Sequence, residues 1–211
     1  MLVETIGEVR EQRGDPRTLR LYGQEVNLTT AAIARMNLFL HEIEDFAILR
    51  GDTLRDPLFR TKEGDLRRFD VVIANPPFSL KNWGSQNWVG DTRAFAGVPP
   101  NASGDFAWVQ HMITSMRAET GRVGVVMPHG VLFRAGVEKD IRQRLVELDL
   151  LEAVIGLPAN LFYSTPIPAC LLIFRATKSP ERRNAGTPPC SSTARSALPK
   201  GAIRTPCPLM T

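Results

Sequence analysis

The spacing of apolar residues predicts alternating helices and strands over residues 1–177. Leu2, Val3, Ile6 and Val9 share one face of a helix, and Gly14-Asp15-Pro16 ends it. We predict further helices over 105–116, over 137–147 and from a cap at Thr29 or Thr30 to about Leu40. We predict strands over 19–23, 46–49, 69–74, 122–127, 151–156 and 169–175. Strands that alternate with helices are typical of a parallel, doubly wound α/β sheet.

The region around residue 75 departs most from an ordinary pattern. The apolar run Val71-Val72-Ile73 predicts a strand buried on both faces. A polar stretch over 79–104 follows, and it is too long for an ordinary connection, which favours a functional loop. Trp83 and Trp88 within it either stack on nucleic acid or pack the loop down. The strands at 151–156 and 169–175 are predicted to pair as a C-terminal β-hairpin.

Composition changes the picture at the C-terminal end. Residues 178–211 are rich in Pro, Ser, Thr, Ala and Arg and show almost no periodicity, so we predict a disordered tail. Six of these residues are Lys or Arg and one is Glu, whereas the whole chain has a net charge of only +4. The basic excess therefore lies in the tail, and residues 1–177 form a nearly neutral domain.

Other features bear on the location of the protein. No apolar run reaches the roughly 18 residues of a membrane span. Cys170, Cys190 and Cys207 form no CxxC pair and no disulfide framework, which favours a reducing, cytoplasmic location and predicts no metal site.

The sequence Asn75-Pro76-Pro77-Phe78 directly follows the strand at 69–74. Each proline fixes its own φ, lacks an N–H and pushes the preceding residue into an extended conformation. The result is a stiff loop at the carboxyl end of a strand, where ligands bind in open α/β sheets. We call residues 75–78 the Asn-Pro-Pro-Phe loop. The alternative, a proline-rich turn that only closes the strand, is disfavoured by the acidic residue and four apolar residues before it.

This array of groups suits an amino group on a flat heterocycle. The Asn75 Oδ1 atom and the Pro76 carbonyl can accept its two hydrogen bonds, and Phe78 can stack on the ring. Acceptors aimed at the amine favour the positive charge that develops when the nitrogen is methylated. A base in duplex DNA must first leave the stack to reach such a loop.

The Asn-Pro-Pro-Phe loop resembles the catalytic motif of amino-group methyltransferases that use S-adenosylmethionine. With other segments it is similar to the methylase (modification) subunit of type I restriction-modification systems, which are adenine-N6 DNA methyltransferases. These segments are Tyr22-Gly23-Gln24-Glu25, Ala34-Arg35-Met36-Asn37-Leu38, Gly51-Asp52-Thr53-Leu54, Met127-Pro128-His129-Gly130-Val131-Leu132-Phe133 and Leu157-Pro158-Ala159-Asn160-Leu161-Phe162. The resemblance covers residues 1–177.

The resemblance implies a Rossmann-like class I methyltransferase sheet, S-adenosylmethionine as cofactor and DNA as substrate. It implies as partners a specificity subunit, a second methylase subunit and a restriction subunit. Asn75, Pro76, Pro77 and Phe78 would be catalytic, Glu25 would bond the cofactor ribose and Asp52 the cofactor adenine amine. The alternatives are a surface acid for Glu25 and a helix N-cap or turn residue for Asp52.

One departure from the family concerns the cofactor. The Gly-rich cofactor loop and the first strand, which precede the equivalent of Met1-Leu2-Val3 in the family, are absent from this sequence. We therefore expect an incomplete sheet and a fragment that is inactive alone. Two other functions stay open: a non-catalytic remnant or partner-binding fragment, and a methyltransferase that acts on RNA or on a protein glutamine amide.

Overall fold

The computed structural model describes residues 1–158, 160–162 and 167–176. These residues fall into two compact units, Met1–Arg67 and a second unit that begins at Arg68. The predicted tail over 178–211 lies outside the described residues. Among the helices that the model describes, none is long and apolar enough to cross a membrane.

The first unit contains two helices and two strands: α1 (Leu2–Glu11), β1 (Leu21–Glu25), α2 (Leu28–Leu40) and β2 (Phe46–Arg50). The strands pair in parallel, with Leu21 opposite Phe46 and Glu25 opposite Arg50. The helices pack on this pair around an apolar core formed by Ile6, Leu21, Ala31, Leu38 and Ile48. All four elements were predicted, with boundaries that differ by one to two residues.

The cap of α2 differs from the prediction. Asn27 precedes the helix, and its Oδ1 atom accepts a hydrogen bond from the Thr30 N–H at 3.0 Å. Thr30 is therefore the third helical residue, whose N–H is one of those that lack a partner within the helix. The prediction that Thr29 or Thr30 caps α2 was wrong, because Asn27 is the cap and the helix begins at Leu28.

The second unit contains β3 (Val71–Ala74), α3 (Asp105–Thr114), β4 (Arg122–Pro128), α4 (Val137–Glu147), β5 (Leu151–Gly156) and β6 (Ala169–Arg175). Their order in the sheet is β3-β4-β6-β5. The β3 and β4 strands are parallel, whereas β6 is antiparallel to both β4 and β5. The predicted C-terminal hairpin of β5 and β6 is confirmed.

The core of the second unit lies between this sheet and its helices. Val125 and Met127 of β4, Cys170 of β6 and Ile141 of α4 are fully buried in it. Burial raises the pKa of the Cys170 thiol to about 11, so this cysteine is an inert core residue.

The prediction that β3 is buried on both faces was wrong. Val72 and Ala74 pack against the core, but Val71 is 60% exposed and Ile73 is 37% exposed. Side chains alternate across a strand, and β3 lies at the edge of the described four-stranded sheet. An apolar run therefore does not by itself establish that both faces of a strand are covered.

The polar segment over 79–104 is folded into short 3₁₀ turns at Ser85–Trp88 and Thr92–Ala94. Both tryptophans in it are buried, with their ring centroids 5.1 Å apart in an edge-to-face arrangement. The Trp83 Nε1–H donates to the Pro100 carbonyl at 3.0 Å, and the Arg93 guanidinium lies over the Trp88 ring. Trp83 and Trp88 therefore pack this segment down and are not available to stack on nucleic acid.

His111 on α3 is a buried base held in its neutral form. Burial, and next the nearby Arg93 guanidinium, lower its pKa to about 4, while Asp91 opposes the shift. Its Nδ1 atom is buried and has no hydrogen-bond partner among the residues that the structure describes. Protonation of this ring inside the fold is therefore unfavourable.

This shift predicts a loss of stability in acid. Between the unfolded pKa of about 6.5 and the folded pKa of about 4, the unfolded chain binds the proton more tightly, so stability falls as the pH falls through this window. From pH 7 to pH 5 we expect His111 to remove roughly 2 kcal/mol of the unfolding free energy. Denaturant unfolding of wild type and His111→Asn at both pH values measures this change in the unfolding free energy. Equal losses in the two proteins would contradict the prediction.

Candidate active site

The Asn-Pro-Pro-Phe loop begins directly where β3 ends, at Ala74. Because β3 and β4 are parallel, the loop lies at the carboxyl edge of this strand pair. Asn75 is exposed, and within the described part of the chain its amide has no hydrogen-bond partner. Pro76 is buried and anchors the loop against the unit. The amide oxygen is therefore available to an incoming ligand.

Phe78 has an aromatic neighbour that the sequence did not indicate. The Phe162 ring packs against it edge to face, with the centroids 6.3 Å apart and the planes at 88°. Phe162 belongs to the segment after β5 that contributed to the family resemblance, but no role was predicted for it. The pair restricts the orientation of the Phe78 ring, which remains half-exposed.

The chain just beyond the loop is tied to the start of α3. The Ser79 N–H donates to Asp105 Oδ1 at 2.7 Å, and the Gly104 N–H donates to the Leu80 carbonyl at 2.9 Å. Trp83 packs against Gly104, where a Cβ atom would lie 3.1 Å from the indole ring. These contacts join the loop to the buried helix of the unit.

Asp105 belongs to a buried charged cluster. Its carboxylate is fully buried and accepts from Arg134 Nη1 at 2.8 Å, and the same nitrogen donates to Glu138 Oε1 and Ser103 Oγ, each at 3.0 Å. Burial opposes the charge on Arg134, but the hydrogen bonds and attraction of Asp105 and Glu138 outweigh it and raise the pKa of Arg134. The guanidinium therefore stays charged at every working pH.

Glu25 and Asp52 lie in the first unit. Glu25 is at the end of β1, and Asp52 comes two residues after the end of the parallel strand β2. Glu25 is the last residue of β1, and its carbonyl accepts from the Gly51 N–H at 3.0 Å. One carboxylate oxygen, Oε1, accepts from the Asn27 N–H at 2.8 Å. A carboxylate at this edge can accept from two adjacent hydroxyl groups, so its chemistry fits a ribose.

Asp52 follows β2 in a tight turn. Its Oδ1 atom accepts from the Leu54 and Arg55 N–H groups at 3.0 and 3.1 Å, and an exposed ion pair joins Oδ2 to Arg55 at 3.7 Å. Asp52 thus has the capping geometry of the turn alternative. Its remaining lone pairs can still accept from an amine, so the assignment to the cofactor adenine stays a prediction.

The turn that contains Asp52 is held by Gln24, a residue that the sequence analysis gave no separate role. The Gln24 amide donates to the Asp56 carbonyl at 2.8 Å and accepts from the Leu58 N–H at 2.9 Å. A Cβ atom on Gly51 would lie 2.8 Å from Gln24 Nε2, so this glycine permits the close approach. Among the described residues there is no group of acidic, His or Cys side chains that could hold a metal ion.

Comparison with protein-family models matches residues 1–186 to a family described as N-6 DNA Methylase. The chain belongs to the N-6 DNA methylase family. The matched region includes every residue of the Asn-Pro-Pro-Phe loop as well as Glu25 and Asp52. The resemblance on which the sequence analysis relied is thereby confirmed at the level of the family.

Two curated relatives of this N-6 DNA methylase chain are methylase subunits of type I restriction enzymes. The MjaVII methylase subunit of Methanocaldococcus jannaschii is 37% identical over 193 residues, covering 87% of this chain and 32% of the relative. The HindI methylase subunit of Haemophilus influenzae is 32% identical over 178 residues, covering 83% of this chain and 39% of the relative. The chain thus spans a third or slightly more of the length of these relatives.

Solved structures agree with the family. The methyltransferase subunit of a type I restriction-modification system from Streptococcus thermophilus matches with a TM-score of 0.75 and 34% identity, over 83% of this chain and 37% of that chain. A putative class I S-adenosylmethionine-dependent methyltransferase from Listeria monocytogenes matches with a TM-score of 0.62 and 16% identity. The match covers 82% of this chain and 49% of that chain. The N-6 DNA methylase chain therefore has the α/β fold of class I methyltransferases.

Proposed function

We propose that this chain carries the base-binding loop of a site-specific DNA adenine-N6 methyltransferase, as part of the methylase subunit of a type I restriction-modification system. The observation that carries the proposal is the Asn-Pro-Pro-Phe loop at the carboxyl end of β3 in a chain of the N-6 DNA methylase family. The unpartnered Asn75 amide and the supported Phe78 ring give this loop the groups that an adenine requires.

In this function the loop captures an adenine that has left the duplex stack. Asn75 Oδ1 and the Pro76 carbonyl accept the two N6 hydrogens. The lone pair of this nitrogen is delocalised into the ring and is weakly nucleophilic. Acceptors fixed in advance stabilise the positive charge that develops on N6 as it is methylated. Phe78 holds the ring by stacking, and Phe162 fixes the orientation of Phe78.

The cofactor of the proposed reaction is S-adenosylmethionine, which supplies an electrophilic methyl group from its sulfonium when bound. Glu25 would accept from the ribose hydroxyl groups, and Asp52 would accept from the adenine amine. Both carboxylates fit these donors chemically, and Gln24 keeps the Asp52 turn in place. The predicted catalytic roles of Asn75, Pro76, Pro77 and Phe78 belong to the same proposal.

The proposed assembly contains a second methylase subunit, a specificity subunit that selects the DNA target, and a restriction subunit, in the cytoplasm. A methyltransferase acting on RNA or on a protein glutamine amide would use the same acceptors, because both substrates present a planar amino group. Methyl transfer from labelled cofactor to DNA, RNA and glutamine-containing peptides separates these substrates. Label incorporated into RNA or peptide and not into DNA would contradict the proposal.

Substitution of Phe78 tests the stacking role. Phe78→Ala removes the ring, and because stacking on a base contributes about 1–3 kcal/mol, methylation should fall about ten- to a hundredfold. Phe78→Tyr keeps the ring and should retain activity. Phe95, which is exposed on the same unit outside the loop, provides a matched control in Phe95→Ala. Equal methylation rates in a DNA assay for wild type, Phe78→Ala and Phe78→Tyr would contradict the stacking role.

A further inference from the structure

We propose that Asp105 and Arg134 are positioning residues that hold the backbone immediately after Phe78 and so set where Asn75 and Phe78 meet the target base. This inference rests on the proposed function for its catalytic consequence. Its structural part, that these two side chains restrain the Asn-Pro-Pro-Phe loop, is tested separately.

The loop itself has few ways to be restrained by its own backbone. The ladder of β3 ends at Ala74, and neither Pro76 nor Pro77 has an N–H to donate. The Ser79 N–H, donated to Asp105 Oδ1 at 2.7 Å, is therefore the hydrogen bond that fixes the distal end of the loop. A bond to a carboxylate is short and strong, which suits this purpose.

Ser79 also adopts a backbone conformation that needs outside support. Its φ of 51° lies in the left-handed region, which is unfavourable for a non-glycine residue because its Cβ atom crowds the following carbonyl oxygen. A serine persists there only where the surroundings hold it. Asp105 holds its N–H, and Arg134 Nη2 donates to its hydroxyl at 3.2 Å. Both members of the proposed pair thus contact the one strained residue next to the loop.

The pair is itself rigid. Asp105 is fully buried in the first turn of α3, and Arg134 Nη1 lies 2.8 Å from its second carboxylate oxygen. The same Nη1 atom also donates to Glu138 Oε1 and Ser103 Oγ, each at 3.0 Å, which holds the guanidinium in place. Because both oxygens of this buried carboxylate accept hydrogen bonds, the side chain cannot rotate freely. The position of α3 therefore fixes the position of the Ser79 N–H.

Gly130, which follows β4, makes room for this guanidinium. A Cβ atom on Gly130 would lie 2.6 Å from Arg134 Nε and 2.7 Å from Nη2. Gly130→Ala would therefore displace the guanidinium from Ser79 and Asp105 without removing a charge. Through Arg134, the segment that follows β4 therefore contacts the segment that follows its parallel neighbour β3.

The first experiment measures hydrogen exchange at the Ser79 amide in the methylase assembly. Asp105→Asn replaces the charged acceptor by a neutral one and breaks the pair with Arg134, so we expect exchange at Ser79 to become about tenfold faster. Gly130→Ala should have the same effect. Exchange in β4 and β6 should remain unchanged. Faster exchange throughout these strands would show general destabilisation and would overturn the positioning role.

The second experiment measures methyl transfer by the methylase assembly. Small misplacement of reacting groups lowers the rate steeply, so kcat should fall about ten- to a hundredfold in Asp105→Asn and Gly130→Ala, with the KM for S-adenosylmethionine unchanged. Asp91→Asn is the matched control, because the half-buried Asp91 forms an ion pair with the buried Arg93 at 2.7 Å in the same polar segment. It should leave kcat near the wild-type value.

The outcomes separate the two proposals. Equal kcat values and equal Ser79 exchange in Asp105→Asn and Asp91→Asn would overturn the inference. A methylase that loses no activity on Asn75→Ala would instead refute the proposed function, while Ser79 exchange in Asp105→Asn still reports whether the pair restrains the loop. A raised KM for the cofactor with unchanged kcat would place Asp105 in cofactor binding and overturn the positioning role.

Discussion

We expect Asn75→Ala to abolish methyl transfer by the methylase assembly and to leave its affinity for S-adenosylmethionine largely intact. The amide is exposed, with no described hydrogen-bond partner, and the proposed function directs it at the target amine. Removing one preorganised polar group from a site where charge develops costs about a hundred- to a thousandfold in rate. A labelled-methyl assay measures the rate, and titration calorimetry measures cofactor binding on the same preparation.

Asn75→Asp is the graded comparison for this experiment. It retains an acceptor oxygen in the same place, so the loss of activity should be smaller than in Asn75→Ala. If Asn75→Ala lost cofactor binding as severely as it lost activity, the amide would act on the cofactor, and the assigned role would be wrong.

The 211-residue polypeptide alone is expected to transfer no methyl group to DNA. Residues 1–211 do not include the Gly-rich cofactor loop that the resemblance to the family implies. Glu25 and Asp52 are proposed to contact only the ribose and the adenine, which leaves the methionine end unrestrained. Since a 1 Å misplacement can cost about a hundredfold, an unrestrained methyl group is not delivered to the base.

The structure adds a second reason for this expectation. Within the described residues, β1 pairs with β2 alone, and β3 has β4 as its only hydrogen-bonded neighbour. Two-stranded pairs are marginally stable, and an apolar edge strand with Val71 exposed promotes aggregation. We expect low solubility, no measurable cofactor binding, and recovery of both when the N-terminal segment of a relative is joined to the chain.

The measurement is transfer of labelled methyl groups from S-adenosylmethionine to DNA by the purified polypeptide. The fusion to the segment of a relative is the positive control. A fusion whose Asn75 is replaced by Ala is the negative control, because it should recover solubility and cofactor binding without transfer. Methylation of adenine by residues 1–211 without any added segment would refute the expectation.

Local patterns in the sequence were sufficient to predict most helices and strands. The periodicity over 137–147 matches α4 residue for residue, and the apolar runs at 151–156 and 169–175 match β5 and β6. These elements are predictable because each carries its own period, and strands that are consecutive in the sequence often pair with each other. The loop at residues 75–78 was found for a similar reason, because its four residues are contiguous.

Features that depend on distant residues were not predictable. Asp105 is 26 residues from Ser79 and 29 residues from Arg134, so no local spacing connects them. From the sequence alone, Asp105 is an ordinary acidic residue in the first turn of a helix. The contact between Phe78 and Phe162 is equally remote in sequence, and only the fold brings the two rings together.

The burial of Trp83 and Trp88 gives the protein an internal optical probe. All three tryptophans, Trp83, Trp88 and Trp108, lie between the Asn-Pro-Pro-Phe loop and the middle of α3, whereas the Met1–Arg67 unit contains none. Selective excitation of indole therefore observes the second unit only, and a red shift of the emission signals that water has entered the segment behind the loop. Comparing that emission with the far-ultraviolet circular dichroism of the whole chain reveals whether the two units unfold together or in separate steps.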